Sequence, residues 1–154
     1  MNATGTPTAA RTRAETVRQL EHEVGVMIRR VRRVIHERAR AVHPDLQAAS
    51  YLMLAYLGDH GPTRSSAVAE LFSIDKGAIS RQVQHLADLG LLERTPDPAD
   101  GRATLLVVTE EGQARLAEVT THRRQYLDRR LGDWSDEELS AFVAGLARYN
   151  AALD

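Results

Sequence analysis

Apolar residues recur at alternating intervals of three and four between residues 14 and 41. This spacing is typical of one face of an α-helix. The face is formed by Val17, Leu20, Val24, Met27, Val31 and Val34, and it is widened by Ile28 and Ile35. Pro44 cannot continue a helix. The pattern therefore predicts a long amphipathic helix over 14–41, suited to packing against other helices.

The next two segments also have helical patterns. Residues 46–59 are apolar on nearly every side, which predicts a central, buried helix that ends before Gly61. A short helix is expected over 65–72, with Thr63 or Ser65 as its N-cap residue.

A three-residue turn, 73–75, separates this short helix from a fourth helical segment. Asp75 is a favourable N-cap for a helix over 76–89, and Gly90 is expected to end it. The spacing predicts an inward face formed by Ile79, Val83 and Leu86.

Residues 91–94 and 103–108 are predicted to be two strands, the second rich in β-branched side chains. The connection between them, PDPADG at 96–101, has the composition of an exposed hairpin tip. Two strands joined in this way predict a small β-hairpin.

Two further helices are expected towards the carboxyl end. Thr109 is the predicted cap of a helix over 110–131, and Ser135 with Glu138 has the spacing of a capping box for the last helix. The apolar stripe of that last helix is Leu139, Phe142, Val143, Leu146, Tyr149 and Leu153.

The order helix, three-residue turn, helix and hairpin is that of a winged helix-turn-helix, whose second helix can enter the major groove of DNA. The outward face of segment 76–89 offers cations, a hydroxyl and an amide able to pair with adenine. Candidate DNA contacts are Lys76, Gly77, Ser80, Arg81 and Gln84, with Ser65, Ser66, Arg94 and Arg102 as further candidates. The alternative interpretation is an ordinary solvated helix face.

The hairpin tip adds a candidate minor-groove contact. Arg102 can project from the wing, and an arginine suits the deep negative potential of a narrow minor groove. Asp100 is expected to orient that guanidinium through a bidentate pair. The alternative is a surface ion pair of little energetic value.

The block from SSAVAELF to LLVVTEEG resembles the core of the MarR family, including its D-x-x-D-x-R wing and the T-E-E-G that begins the following helix. The resemblance covers roughly residues 13–153. It implies a mainly α fold with a small β-hairpin wing, in which a winged helix-turn-helix is flanked by N- and C-terminal dimerisation helices. The implied divisions are a flexible tail at 1–12, a dimerisation region at 13–45 and 110–154, and a DNA-binding domain at 46–109. Asp75, Lys76 and Gly77 stand where the family often has Ser and Pro.

The resemblance implies a homodimeric, DNA-binding transcriptional regulator, a repressor on a palindromic operator, relieved by a small aromatic or lipophilic ligand. Candidate effector-binding residues are Arg33, His36, His43 and Tyr51, although the same residues could simply cap helix ends and cover the core. The competing function is a winged-helix protein-interaction module, which needs no cationic recognition face.

Composition narrows these possibilities. The chain carries no cysteine, which excludes disulfides and thiolate chemistry, and its net charge is −1. Because the net charge is slightly negative, any attraction for DNA must come from a local patch, and charge is indeed unevenly distributed: residues 11–43 carry nine arginines against four acids.

No cofactor and no metal are expected, because His36 and His43 have no third ligand at a clear spacing. No catalytic motif is present, so an enzyme is not expected. Without a signal sequence or a long apolar run, a cytoplasmic location is expected.

Overall fold

The structure, a computed structural model, describes residues 12–153, which form six helices and three short strands. The helices are α1 (Arg13–Val42), α2 (Ala48–His60), α3 (Ser65–Leu71), α4 (Lys76–Asp88), α5 (Glu110–Arg130) and α6 (Asp136–Ala151), and the strands are β1 (Thr63–Arg64), β2 (Leu92–Asp97) and β3 (Asp100–Val108). The prediction of a mainly α fold with a small hairpin wing is confirmed. The tail predicted at 1–12 lies outside the described residues, except for Thr12.

Short-range caps fix where the helices begin. Thr12 belongs to α1 rather than to a tail, because it forms a capping box with Glu15. Thr109 and Ser135 cap α5 and α6 as predicted. These caps involve residues three apart in the chain, which is why the sequence alone reveals them.

The predicted cap of α3 is wrong. The N-cap position is occupied by Arg64, which makes no side-chain capping bond. Thr63 instead donates its hydroxyl proton to the Gly61 carbonyl oxygen over 3.0 Å, and Ser65 already lies in the first turn of the helix. Thr63 and Arg64 are drawn into the sheet as β1, a two-residue strand that the sequence pattern did not predict.

The three strands form an antiparallel sheet in the order β1-β3-β2. Both wing strands extend beyond the predicted ranges 91–94 and 103–108, so most of the predicted connection 96–101 belongs to the ladder. Asp97 pairs with Asp100, with a register shift beside Pro96, and only residues 98–99 form the tip. The result is a longer wing, anchored on its other side by β1.

The core lies beneath the wing and between helices α1 to α5. Its fully buried large side chains are Met53, Leu54, Leu57, Leu86, Leu91, Leu106, Val42, Val68 and Val83. The predicted burial of α2 holds for the side that faces this cluster, whereas Leu52 on the opposite side is exposed. Ile79, Val83 and Leu86 are buried as predicted, which fixes α4 with its polar face outward.

The two ends of the chain carry large apolar side chains that this core does not cover. Within the described range of α6 no residue is buried, and Val143 is 58% exposed. The exposed residues on α1 include Val17, Leu20, Met27, Ile28 and Val31. Among residues 12–153, none of the helices has both the length and the apolar character required to span a bilayer.

Candidate nucleic-acid interface

The start of α4 is held by a strong cap. The Asp75 carboxylate accepts a hydrogen bond from the Ala78 amide over 2.8 Å, and this bond holds the pKa of Asp75 below its usual value. The predicted outward residues of α4 are all exposed, namely Lys76, Gly77, Ser80, Arg81 and Gln84. The start of α4 is therefore held by its cap and presents two cations, Lys76 and Arg81, to solvent.

Gly77 and Ser80 on α4 both lie close to groups of residues nearby in the chain. A Cβ atom at Gly77 would lie 3.1 Å from the Asp75 carboxylate, which is tight, and at an ordinary contact distance of 3.5 Å from Nη1 of Arg81, so a side chain would crowd the cap. The Ser80 hydroxyl donates to the Lys76 carbonyl oxygen over 2.8 Å, which leaves its lone pairs available as acceptors.

A groove of about 770 Å³ runs between α4 and the wing. Of the nine predicted DNA contacts, all within the described range, six line this groove: Ser65, Ser66, Ser80, Gln84, Arg94 and Arg102. Arg64 lines it as well, so three arginines and one acid, Asp100, are among its lining residues. Lys76, Gly77 and Arg81 lie outside the groove, at the exposed start of α4.

Arg94 is tied to α4 by a chain of hydrogen bonds. Its Nη1 donates to the Gln84 side-chain oxygen over 3.0 Å, and the Gln84 side-chain nitrogen donates to the Asp88 carboxylate over 2.8 Å. Arg94 Nη2 lies 3.4 Å from the Ser80 carbonyl oxygen. Each end of the Gln84 amide thus already makes one hydrogen bond within the protein, and the predicted pairing with adenine would have to share or replace these bonds.

The wing tip is held by an ion pair that the sequence reading missed. Arg64 Nε donates to one Asp97 oxygen over 2.6 Å, and the Ala99 amide donates to the other over 2.8 Å. These two bonds, with the Ala99 bond the stronger influence, hold the pKa of Asp97 below its usual value. The partners are 33 positions apart, and no local pattern links them.

The predicted bidentate pair between Asp100 and Arg102 does not form. Asp100 instead accepts a hydrogen bond from the backbone amide of Arg102 over 3.1 Å, and in the described part of the chain it makes no ion pair with the Arg102 guanidinium. The tight turn at 98–99 directs the carboxylate to the backbone. Asp100 shapes the tip, while the Arg102 side chain is exposed and lines the groove.

The four predicted effector residues are not brought together. His36 is exposed on α1, whereas His43 accepts a hydrogen bond from the Asp45 amide beyond the end of that helix. Tyr51 is 8% exposed on α2 and lines a groove of about 510 Å³ between α2 and α5. Arg33 lines a different cavity. Arg33 and His36 are three residues apart on α1, whereas His43 lies beyond the end of that helix and Tyr51 lies on α2. Tertiary packing therefore decides which cavity each residue lines, and a grouping along the sequence does not capture this.

Arg33 belongs to a cavity of about 670 Å³ between α1 and α5. Its lining combines apolar residues with polar ones; the polar residues are Arg30, Arg33, Glu37, Arg38, His122, Arg123 and Tyr126. Arg33 Nε lies 4.0 Å from a Glu37 carboxylate oxygen, and both side chains are exposed. Residues His122, Arg123 and Tyr126 were absent from the sequence-based set, because only the packing of α5 on α1 places them beside Arg33. Among residues 12–153, no group of three or more candidate metal ligands forms.

Comparison with known proteins agrees with this geometry. Residues 45–103 match the model of the MarR family. The chain is 33% identical over 136 residues to the uncharacterized HTH-type transcriptional regulator YxaD of Bacillus subtilis (strain 168), covering 88% of this chain and 94% of that protein. It is 28% identical to the HTH-type transcriptional repressor NicR of Pseudomonas putida, over 68% of this chain and 66% of NicR.

A solved structure shares the fold. The apo form of wild-type MarR from E. coli matches with a TM-score of 0.67 at 21% identity, covering 84% of this chain and 95% of MarR. The predicted resemblance and the predicted absence of enzymatic activity are confirmed by these relatives, which are named as transcriptional regulators. The chain belongs to the MarR family of DNA-binding, helix-turn-helix transcriptional regulators.

Proposed function

We propose that two copies of this chain bind a palindromic operator, with α4 of each copy in the major groove and residues 95–103 of the wing at the minor groove. The observation that carries this proposal is the groove between α4 and the wing. Three arginines line it beside the exposed cationic start of α4. Duplex DNA presents a phosphate ridge between its two grooves, and a cationic cleft of this kind fits that ridge.

Dimerisation is supported by the apolar surface at the two chain ends. Val143 and Phe142 on α6, like Met27 and Val31 on α1, are each at least 40% exposed. Exposed apolar faces of this kind on α1 and α6 support an interface with a second copy. We assign residues 13–45 and 110–154 to the dimer body and 46–109 to the DNA-binding domain. A two-fold dimer matches a palindrome because each copy reads one half-site.

We propose repression as the direction of regulation. A dimer that covers two adjacent major grooves occupies promoter DNA that polymerase would need. The related protein NicR is named as a repressor, which favours the same direction here.

Relief of repression is assigned to a small aromatic acid in the cavity between α1 and α5. Four arginines against one acid, Glu37, are among its lining residues and can pair with a carboxylate, and the apolar lining residues with Tyr126 suit a ring. The cavity lies on the two helices that also carry exposed apolar side chains of the dimer body. A ligand there would favour one relative placement of the two DNA-binding domains, and DNA affinity would fall if that placement differs from the bound one.

The experiment is a mobility-shift titration of the full chain with its own promoter region, at a stated salt concentration and with scrambled DNA of equal length. Retarded migration at a protein concentration at least about 1,000-fold below that needed for scrambled DNA would support a sequence-specific regulator. Equal affinity for both DNAs would instead favour the protein-interaction module.

A further inference from the structure

The pair formed by Arg64 and Asp97 joins two parts of the interface that are separate in sequence. Arg64 lies on β1 immediately before α3, and Asp97 lies at the end of β2 beside the wing tip. The carboxylate is only 8% exposed and uses both of its oxygens, one towards Arg64 Nε and one towards the Ala99 amide. Each oxygen of the Asp97 carboxylate therefore already accepts a hydrogen bond within the protein.

Arg64 uses only part of its hydrogen-bonding capacity within the described part of the protein. Its bond to Asp97 uses Nε, and the guanidinium carries four more N–H donors on its two Nη atoms. Among residues 12–153, those Nη atoms make no hydrogen bond. The Arg64 side chain is 47% exposed and lines the groove together with Arg94 and Arg102.

We propose that Arg64 is a further DNA-binding residue, which donates from Nη to a backbone phosphate in the groove, and that Asp97 is the positioning residue that orients it. This inference rests on the proposed function. A planar guanidinium can serve two acceptors on different edges, so a buried carboxylate at Nε fixes the direction in which the Nη groups point. A fixed side chain also loses less conformational entropy when it binds.

Two substitutions at Arg64 test the phosphate contact by fluorescence anisotropy with the promoter fragment across a salt series. Arg64→Gln should lower the slope of log affinity against log salt by about one unit per copy, hence about two per dimer, and reduce affinity for operator and scrambled DNA alike. Arg64→Lys should restore most of the slope, because it keeps the charge. An unchanged slope in Arg64→Gln would overturn the assignment.

Asp97→Asn tests the positioning role through the sign of its effect. An asparagine can still accept from the Ala99 amide through its oxygen, but its nitrogen cannot accept from Arg64 Nε. Removing a negative charge near DNA should strengthen binding if only long-range electrostatics matter. If Asp97 positions Arg64, Asp97→Asn should instead bind DNA about 2- to 10-fold more weakly. In a protein that already carries Arg64→Gln, the same Asp97→Asn substitution should lower DNA affinity by a smaller factor than it does in the wild type. Equal or tighter binding would overturn the positioning role.

A second arginine–carboxylate pair, remote from the groove, provides controls for the loss of an ion pair, and its arginine also donates from Nη1 to the Val42 carbonyl oxygen over 2.9 Å. Arg115 Nε and Glu111 on α5 are also 2.6 Å apart, and neither lines the groove. Arg115→Gln should leave the salt slope unchanged, and Glu111→Gln should not weaken binding. Thermal melting of every variant identifies any loss that comes from unfolding. Wild-type protein that fails to prefer its promoter contradicts the proposed function, whereas normal wild-type binding with an unchanged Arg64→Gln slope contradicts only this inference.

Discussion

Nη1 of Arg94 on the wing lies 3.0 Å from the side-chain oxygen of Gln84 on α4, so the two DNA-facing elements are joined by a direct hydrogen bond. Asp88 accepts from the other end of the same amide, which completes a chain from wing to helix. Gln84 therefore serves in the free protein to hold Arg94, a role that its helical position alone did not reveal.

Replacing Gln84 should weaken binding without relaxing specificity. Gln84→Ala frees Arg94, so we expect affinity for the promoter and for scrambled DNA to fall by a similar factor, about 2- to 10-fold. Asp88→Ala should cause part of the same loss, although the removal of an acid would by itself favour DNA binding. Anisotropy titrations on both DNAs measure these changes. A loss confined to sites with one particular base pair would show that Gln84 reads a base instead.

The dimer is tested on the exposed face of α6. Val143 is 58% exposed in the single protomer, so the isolated protomer should tolerate the charge that Val143→Glu introduces. In a dimer the charge would be buried without a partner, and the dimerisation constant should fall by at least about 100-fold. Light scattering and sedimentation measure the mass. Ala141→Glu, about 160° away around the helix, is the matched control and should remain dimeric. A wild-type monomer would contradict the dimer.

Low pH should loosen the wing. The folded pKa of Asp97 lies below the ordinary value of 3.8, because the Ala99 amide and Arg64 stabilise its charged form. The stabilisation is therefore complete well above 3.8 and is lost as the pH falls through the lower, folded pKa. The difference in melting temperature between wild type and Asp97→Asn should be constant from pH 7 to about 5 and should shrink below about 3.8. A difference that grows on acidification would contradict this assignment.

The ligand response should follow the cavity between α1 and α5. Salicylate, an aromatic carboxylate, should raise the melting temperature of the free protein and weaken its DNA binding. Arg33→Ala should reduce both effects, because Arg33 lines the cavity. His36→Ala is the control on the same helix, since His36 lies outside that lining, although the sequence pattern grouped it with the effector residues. An unchanged response in Arg33→Ala, or a loss in His36→Ala alone, would contradict a ligand in this cavity.

The parts of this molecule that sequence reasoning predicts are those set by neighbours in the chain. Asp75, Thr109 and Ser135 cap amides three residues away, and the apolar spacing of α4 fixes which face is buried. The sequence pattern did not predict strand β1, because a strand of two residues is too short to show an alternation of apolar and polar side chains. It exists only because β3 offers a free edge opposite Thr63 and Arg64.

The sequence predicted which helices and strands form the site, but not the hydrogen bonds and ion pairs between them. Six of the nine predicted contacts meet in one groove because they sit on α3, α4 and the wing, whose order the sequence reveals. The partner of Arg64 is 33 positions distant, and the partner of Arg94 was expected to be DNA. The partners of such long side chains depend on where the tertiary fold places their backbones, which local sequence patterns do not reveal.

Hydroxyl-radical footprinting of the promoter region with wild type, Arg81→Ala and Arg102→Ala decides whether two winged domains read a palindrome. Wild type should protect two half-sites whose centres are about 10–10.5 base pairs, or a multiple of that, apart. Arg81→Ala, at the exposed start of α4, should cost about 1–3 kcal/mol and relax sequence preference, and Arg102→Ala should weaken binding to all sequences more evenly. Protection of a single site, or unaltered protection in both variants, would contradict a dimer that binds through α4 and the wing.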